Sequence, residues 1–200
     1  MKKNIKTLIS KLQIVAITLC LALLSVNFVF AQNKYLRIKT ERKADKCMFL
    51  VYEGSKTDVV TNKKNVLESS ESSFVTKIDG TNIDEVVKFN ERQKISDLVY
   101  KIIAPFYKNY KSKYEYEVED FEIMLYSRID GNVCELRFEY DRDANIPLTA
   151  IEKLENEILA LGLKLEFDPN NHYAKDALWI YYPVRYSVSR MKEKLKAENK

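Results

Sequence analysis

EVEDFEIMLYSRIDGNVCELRFEYDRDANIPLTAIEKLENEILALG, residues 117–162, is the stretch that decides the fold. Phe121, Ile123 and Leu125 alternate with Glu122, Met124 and Tyr126, the period-two pattern of a strand with one buried face. The run breaks at Asp130-Gly131, a strong hairpin signal because glycine enters positive φ without a Cβ clash. Cys134, Leu136, Phe138 and Tyr140 then share one face, with Glu135, Arg137 and Glu139 on the other. Pro147 suits a first helical position, where its missing N–H costs nothing. Ile151, Leu154, Ile158 and Leu161 follow at spacings of three and four, and Glu152, Lys153, Glu155 and Glu157 fill the remaining arc. Gly162 fits the residue just past the helix end. The stretch predicts strand, turn, strand, amphipathic helix.

Working outward, Leu163, Leu165 and Phe167 alternate again, and Asp168-Pro169-Asn170-Asn171 turns the chain. An aromatic-rich strand is predicted over 178–188, followed by a Lys- and Glu-rich helical tail. Upstream, 48–52 reads as a strand, 54–57 as a turn, 62–73 as an exposed loop and 74–78 as a strand. Asn82 and Glu85 form a capping pair. From there apolar spacing predicts a helix, or two joined near Asn90, running to Pro105. The fold class expected is α+β, an antiparallel sheet with a ββαββ-like core plus an N-terminal strand and helix segment. The organisation expected is a signal peptide at 1–31, a strand-rich segment at 32–81, and the helix, core and charged tail at 82–200. With only four glycines and four prolines in 200 residues, 32–200 reads as one unit.

Lys2, Lys3, Lys6 and Lys11 precede an apolar run over 12–31, the layout of a secretory signal with cleavage between Ala31 and Gln32. The alternatives are an uncleaved anchor, since the run is just long enough to span, and lipidation at Cys20, against which stands Leu19 where a small residue is normally needed. Removal of 1–31 takes away four lysines and no acid, leaving 29 basic and 29 acidic residues where the whole chain has 33 and 29. The net basicity therefore belongs to the targeting segment and implies no nucleic-acid partner. An exported chain retains Cys47 and Cys134. They can pair in an oxidising compartment or stay as buried thiols.

His172 is the only histidine, so the sequence offers neither a His-centred metal site nor a nucleophile with a His base. Four glycines spell out no phosphate-binding loop, and no cofactor is implied. The acidic residues are interleaved with Lys and Arg and read as solvated faces. Thirteen tyrosines are the one enrichment. Trp179, Tyr181, Tyr182 and Tyr186 crowd the last strand, and alternation sends half of them to each face. Those on the outer face are the candidate binding residues.

The order strand, Asp130-Gly131-Asn132-Val133, strand, Pro147-led helix, Leu165-Glu166-Phe167-Asp168-Pro169 and a closing strand with Tyr182-Pro183-Val184 resembles the TonB C-terminal domain over 121–188. The resemblance implies a periplasmic domain that docks partners by strand pairing at a sheet edge. That family's Pro-rich spacer is absent here, so fold and binding mode are implied but not energy coupling. The whole chain also resembles small exported proteins of unknown function in Gram-negative bacteria. The expected function is a non-enzymatic periplasmic or secreted module that binds an envelope protein or peptide through a sheet edge or the aromatic strand face. The alternatives are a carboxylate-based hydrolase on glycan or peptide, and an anchored envelope component.

Overall fold

The structure is a computed structural model and describes residues 38–67, 86–111, 120–167 and 178–198. The signal segment with Ala31 and Gln32, the strand expected at 74–78, the Asn82 cap and the His172 loop lie outside the described residues.

Six strands form one antiparallel sheet: β1 (Ile38–Lys43), β2 (Met48–Glu53), β3 (Thr57–Asn62), β5 (Asp120–Arg128), β6 (Val133–Asp141) and β8 (Trp179–Ser187), in the order β1-β2-β3-β6-β5-β8. A two-stranded ribbon joins β4 (Val87–Lys88) to β7 (Glu166–Phe167). Three helices, α1 (Arg92–Ile102), α2 (Leu148–Ala160) and α3 (Val188–Glu198), cover one face of the sheet. Ile95 and Val99 of α1, Ile151, Leu154 and Ile158 of α2, and Val188 and Met191 of α3 pack with Phe49, Val60, Phe121, Ile123, Phe138 and Val184. The chain is therefore an α+β protein built as two layers. No helix among the described residues is long and apolar enough to cross a membrane.

The hairpin forms as its sequence dictates. Gly131 sits at φ +81°, its N–H donating to the Arg128 carbonyl at 2.9 Å. The Asp130 carboxylate accepts from the Asn132 amide at 3.0 Å and fixes the turn. The turn is then gripped by the segment after α2, with Leu165 N–H donating to the Gly131 carbonyl at 2.8 Å and Val133 N–H to the Leu163 carbonyl at 3.0 Å.

Several expectations are corrected. The N-terminal strands are not an addition beside the core, because β3 pairs with β6 over Thr57↔Asp141 to Thr61↔Arg137 and β1–β3 extend the same sheet. Residues 87–88 are strand rather than helix, and α1 starts only at Arg92, past the break near Asn90. Pro105 lies in a 3-10 turn, Ala104–Tyr107, just beyond the end of α1. The C-terminal helix is docked, because Val188 and Met191, three apart, are buried and Leu195 packs against the core. Leu161 is exposed, since α2 has already ended at Ala160.

Cys47 and Cys134 form no disulfide, and Cys134 is exposed rather than buried. Cys47 immediately precedes β2 and Cys134 lies on β6, with β3 between them. Two strand spacings of roughly 4.8 Å each exceed the Cα separation of about 7 Å that a disulfide can bridge.

Candidate functional site

Strand alternation divides the four aromatic candidates. Tyr182 and Tyr186 face the helices: Tyr182 packs against Phe89, ring centroids 5.7 Å apart, and Tyr186 is buried. Trp179 and Tyr181 face the other way. There Trp179, Tyr126, Met124 and Leu67 form a second apolar cluster, against which half-buried Tyr181 packs. The Tyr126–Trp179 centroids are 5.4 Å apart and Tyr126–Tyr181 are 6.2 Å apart. Leu67 reaches this face because the Glu135 carboxylate accepts from the amides of Val66 and Leu67 at 3.0 and 2.9 Å. Asn65 adds a bond to the Leu136 carbonyl at 2.8 Å. The described start of the loop expected at 62–73 is thus tied to β6 through Asn65, Val66 and Leu67.

Three exposed large apolar side chains are next in the chain to members of this cluster or to their ladder partners. Val66 is 56% exposed, Ile129 51% and Leu178 67%. Arg128 pairs with Trp179 at the end of the β5–β8 ladder. Ile129 and Leu178 therefore leave the sheet at the same point, and Val66 adjoins Leu67. The sequence patterning missed these residues because each belongs to a turn or strand end, outside any periodic run.

The sheet edges are less inviting. Arg92 Nη2 donates to the Arg185 carbonyl at 2.8 Å. Within a strand the N–H and C=O of one residue point the same way, and the direction alternates along the chain. Arg185 and Pro183 therefore both face the free edge of β8, where one carbonyl is taken and one N–H does not exist. The opposite edge, β1, carries Lys39, Glu41, Arg42 and Lys43 in six residues, a composition that opposes pairing with another strand.

The carboxylates of α2 are the largest departure from the sequence reading. Glu152 and Glu155 are 4% and 2% exposed rather than solvated. The Glu152 carboxylate accepts from the amides of Asp45 at 2.7 Å, Lys46 at 3.0 Å and Cys47 at 3.1 Å. Burial favours its neutral form, but those amides outweigh burial and hold its pKa below the ordinary value. Glu155 accepts one bond, from Asn62 Nδ2 at 2.9 Å. Burial first, and then the charges of Glu152 and Glu135, push its pKa up to about 7 against that bond.

Two carboxylates driven apart in pKa are what a hydrolase would need. Glu152 borders an open cleft of about 530 Å³ beside Phe106 and Pro147. Glu155 is not among its described lining residues, so the pair does not share this cleft. Its consequence is for stability. The unfolded carboxyl ionises near 4.5 and the folded one near 7, so between these values the unfolded state has released a proton that the folded state keeps. Stability is complete below the lower value and falls as pH rises to the upper one. Glu155→Gln should remove a loss of roughly 3 kcal/mol between pH 5 and 8, measured by urea titration at both pH values. An unchanged pH slope in the variant would assign the effect elsewhere.

No protein-family model matches the chain, and no curated protein matches it. The α+β architecture does have a likeness among solved structures. A DUF5043 family protein from Bacteroides uniformis superposes with a TM-score of 0.56, covering 76% of this chain and 86% of that one, at 14% sequence identity. At that identity the likeness concerns the fold alone.

Proposed function

We propose that this chain is an exported, non-enzymatic binding module that docks an envelope protein or peptide at the Trp179 end of its outer sheet face. The observation that carries the reading is the exposure of Val66, Ile129 and Leu178 next in the chain to Leu67, to Arg128 of the Arg128–Trp179 pair and to Trp179 itself, beside the buried Trp179–Tyr126 pair. Large apolar side chains grouped in water mark contact surfaces, and aromatic anchors beneath them are the usual centres of binding energy. The blunted edges favour the face over strand addition. The N-terminal Lys-led apolar segment supports export.

A photo-crosslinking residue at Leu178 of the full-length protein, activated in the native envelope, should give one reproducible adduct with an envelope protein. The double change Ile129→Glu and Leu178→Glu should weaken that partner's affinity about tenfold or more while leaving thermal unfolding unchanged, because both residues are exposed. An adduct and affinity indifferent to these changes would remove the face from consideration. The exported protein should begin at Gln32. An N-terminus at Met1 would instead favour an anchored component.

A further inference from the structure

A second cleft, of about 300 Å³, opens on the helix-covered side, far along β6 from the Trp179 cluster. Arg42, Glu53, Asp58, Arg142 and Tyr140 line it, with Val51, Ile146 and Leu148 as an apolar wall. The charged groups are arranged as pairs. Arg142 donates from Nε and Nη2 to one Asp58 oxygen, both at 2.9 Å, and its Nη2 lies 3.5 Å from Glu53. Arg42 pairs with the other Glu53 oxygen. Among the described lining residues, two cations and two anions balance.

Hydrogen-bonding capacity remains after those pairs. Tyr140 is only 5% exposed, with its ring stacked on Phe121 at 6.0 Å. Among the described residues its hydroxyl has no hydrogen-bond partner, nor has the second Asp58 oxygen. Burial and the Asp58 charge, opposed by Arg42, hold the Tyr140 hydroxyl protonated well beyond its ordinary range. It therefore stays a donor. Because each carboxylate is already paired with an arginine, a ligand with a net charge of either sign gains no net attraction and would have to break an existing pair to bind. What remains is a neutral molecule that gives and accepts hydrogen bonds from adjacent atoms and rests a C–H face on Val51, Ile146 and Leu148.

We propose that this cleft binds one neutral sugar ring, with its vicinal hydroxyls bridging Tyr140, Asp58 and Arg42. The site is independent of the docking face and can fail without it. Saturation-transfer NMR on the full-length protein, with glucose, galactose and N-acetylglucosamine beside glucuronate and glucosamine, tests it. The expected result is transfer to at least one neutral sugar and none to its charged counterparts. Tyr140→Phe, which keeps the stacked ring, should lower that affinity about tenfold with an unchanged thermal melt, and Arg42→Gln on the exposed rim should do the same. A disaccharide ending in the bound sugar separates two sources of the same chemistry. Equal transfer assigns the end of a glycan, and transfer to the monosaccharide alone assigns a free sugar. No transfer to any neutral sugar, preference for a charged one, or binding untouched in both variants would overturn the assignment.

Discussion

Replacing Glu152 by Ala should lower the unfolding free energy by about 3 kcal/mol at pH 7, read from urea titration. One carboxylate on α2 holds three successive backbone amides of the β1–β2 turn, more than a hundred residues away in sequence. Alanine leaves those donors facing a gap where the carboxylate stood. Turn residues 45 and 46 are exposed, so water recovers part of the loss and keeps the cost from reaching that of three charged hydrogen bonds. Glu152→Gln retains one acceptor oxygen and should lose about half as much. The sign with pH is opposite to that of Glu155. The Glu152 contribution is present above its unfolded pKa and disappears as pH falls through the lower folded value. Equal stability of Glu152→Ala and the parent protein would mean that the turn closes without this anchor.

Gly131→Ala should be at least as damaging, about 3 kcal/mol or more, for a different reason. A Cβ there would lie 2.4 Å from the backbone oxygen of Leu165. A backbone atom cannot swing aside as a side chain does, so the 163–165 segment must lift off and give up its bonds to Gly131 and Val133. The positive φ adds roughly 1–2 kcal/mol. Gly162 supplies the control. Its φ is +61° and nothing lies within 4 Å of the position a Cβ would take, so Gly162→Ala should cost only about 1 kcal/mol. Similar thermal shifts in the two variants would mean that φ alone sets the cost and the close approach does not matter.

The hairpin could be read in the sequence because its causes are local: alternation, an Asp-Gly turn and an apolar helical stripe are written within forty-odd residues. The β3–β6 pairing was not legible, since it joins residues about eighty apart and leaves no periodic mark on either strand. Glu155 was partly legible. It falls between Ile151 and Ile158 at spacings of four and three, on the apolar stripe itself, although charge alone assigned it to water. Glu152 had no such mark, because what makes its burial tolerable is three amides on a distant turn. Of the aromatic candidates, alternation separated Trp179 and Tyr181 from Tyr182 and Tyr186. It gave no sign of Val66, Ile129 and Leu178, which stand at the ends of elements where periodicity stops.

The strand order also sets a timetable for the newborn chain. β1, β2 and β3 leave the ribosome as a small meander whose inner edge has nothing to pair with until β6, some seventy residues later, is made. The helices that cover its apolar side also come later in the sequence. The last strand of the sheet, β8, comes nearly forty residues after β6. The sheet closes only once β8 has been made, and until then its central strands expose unpaired edges, the state in which a chain is open to mispairing.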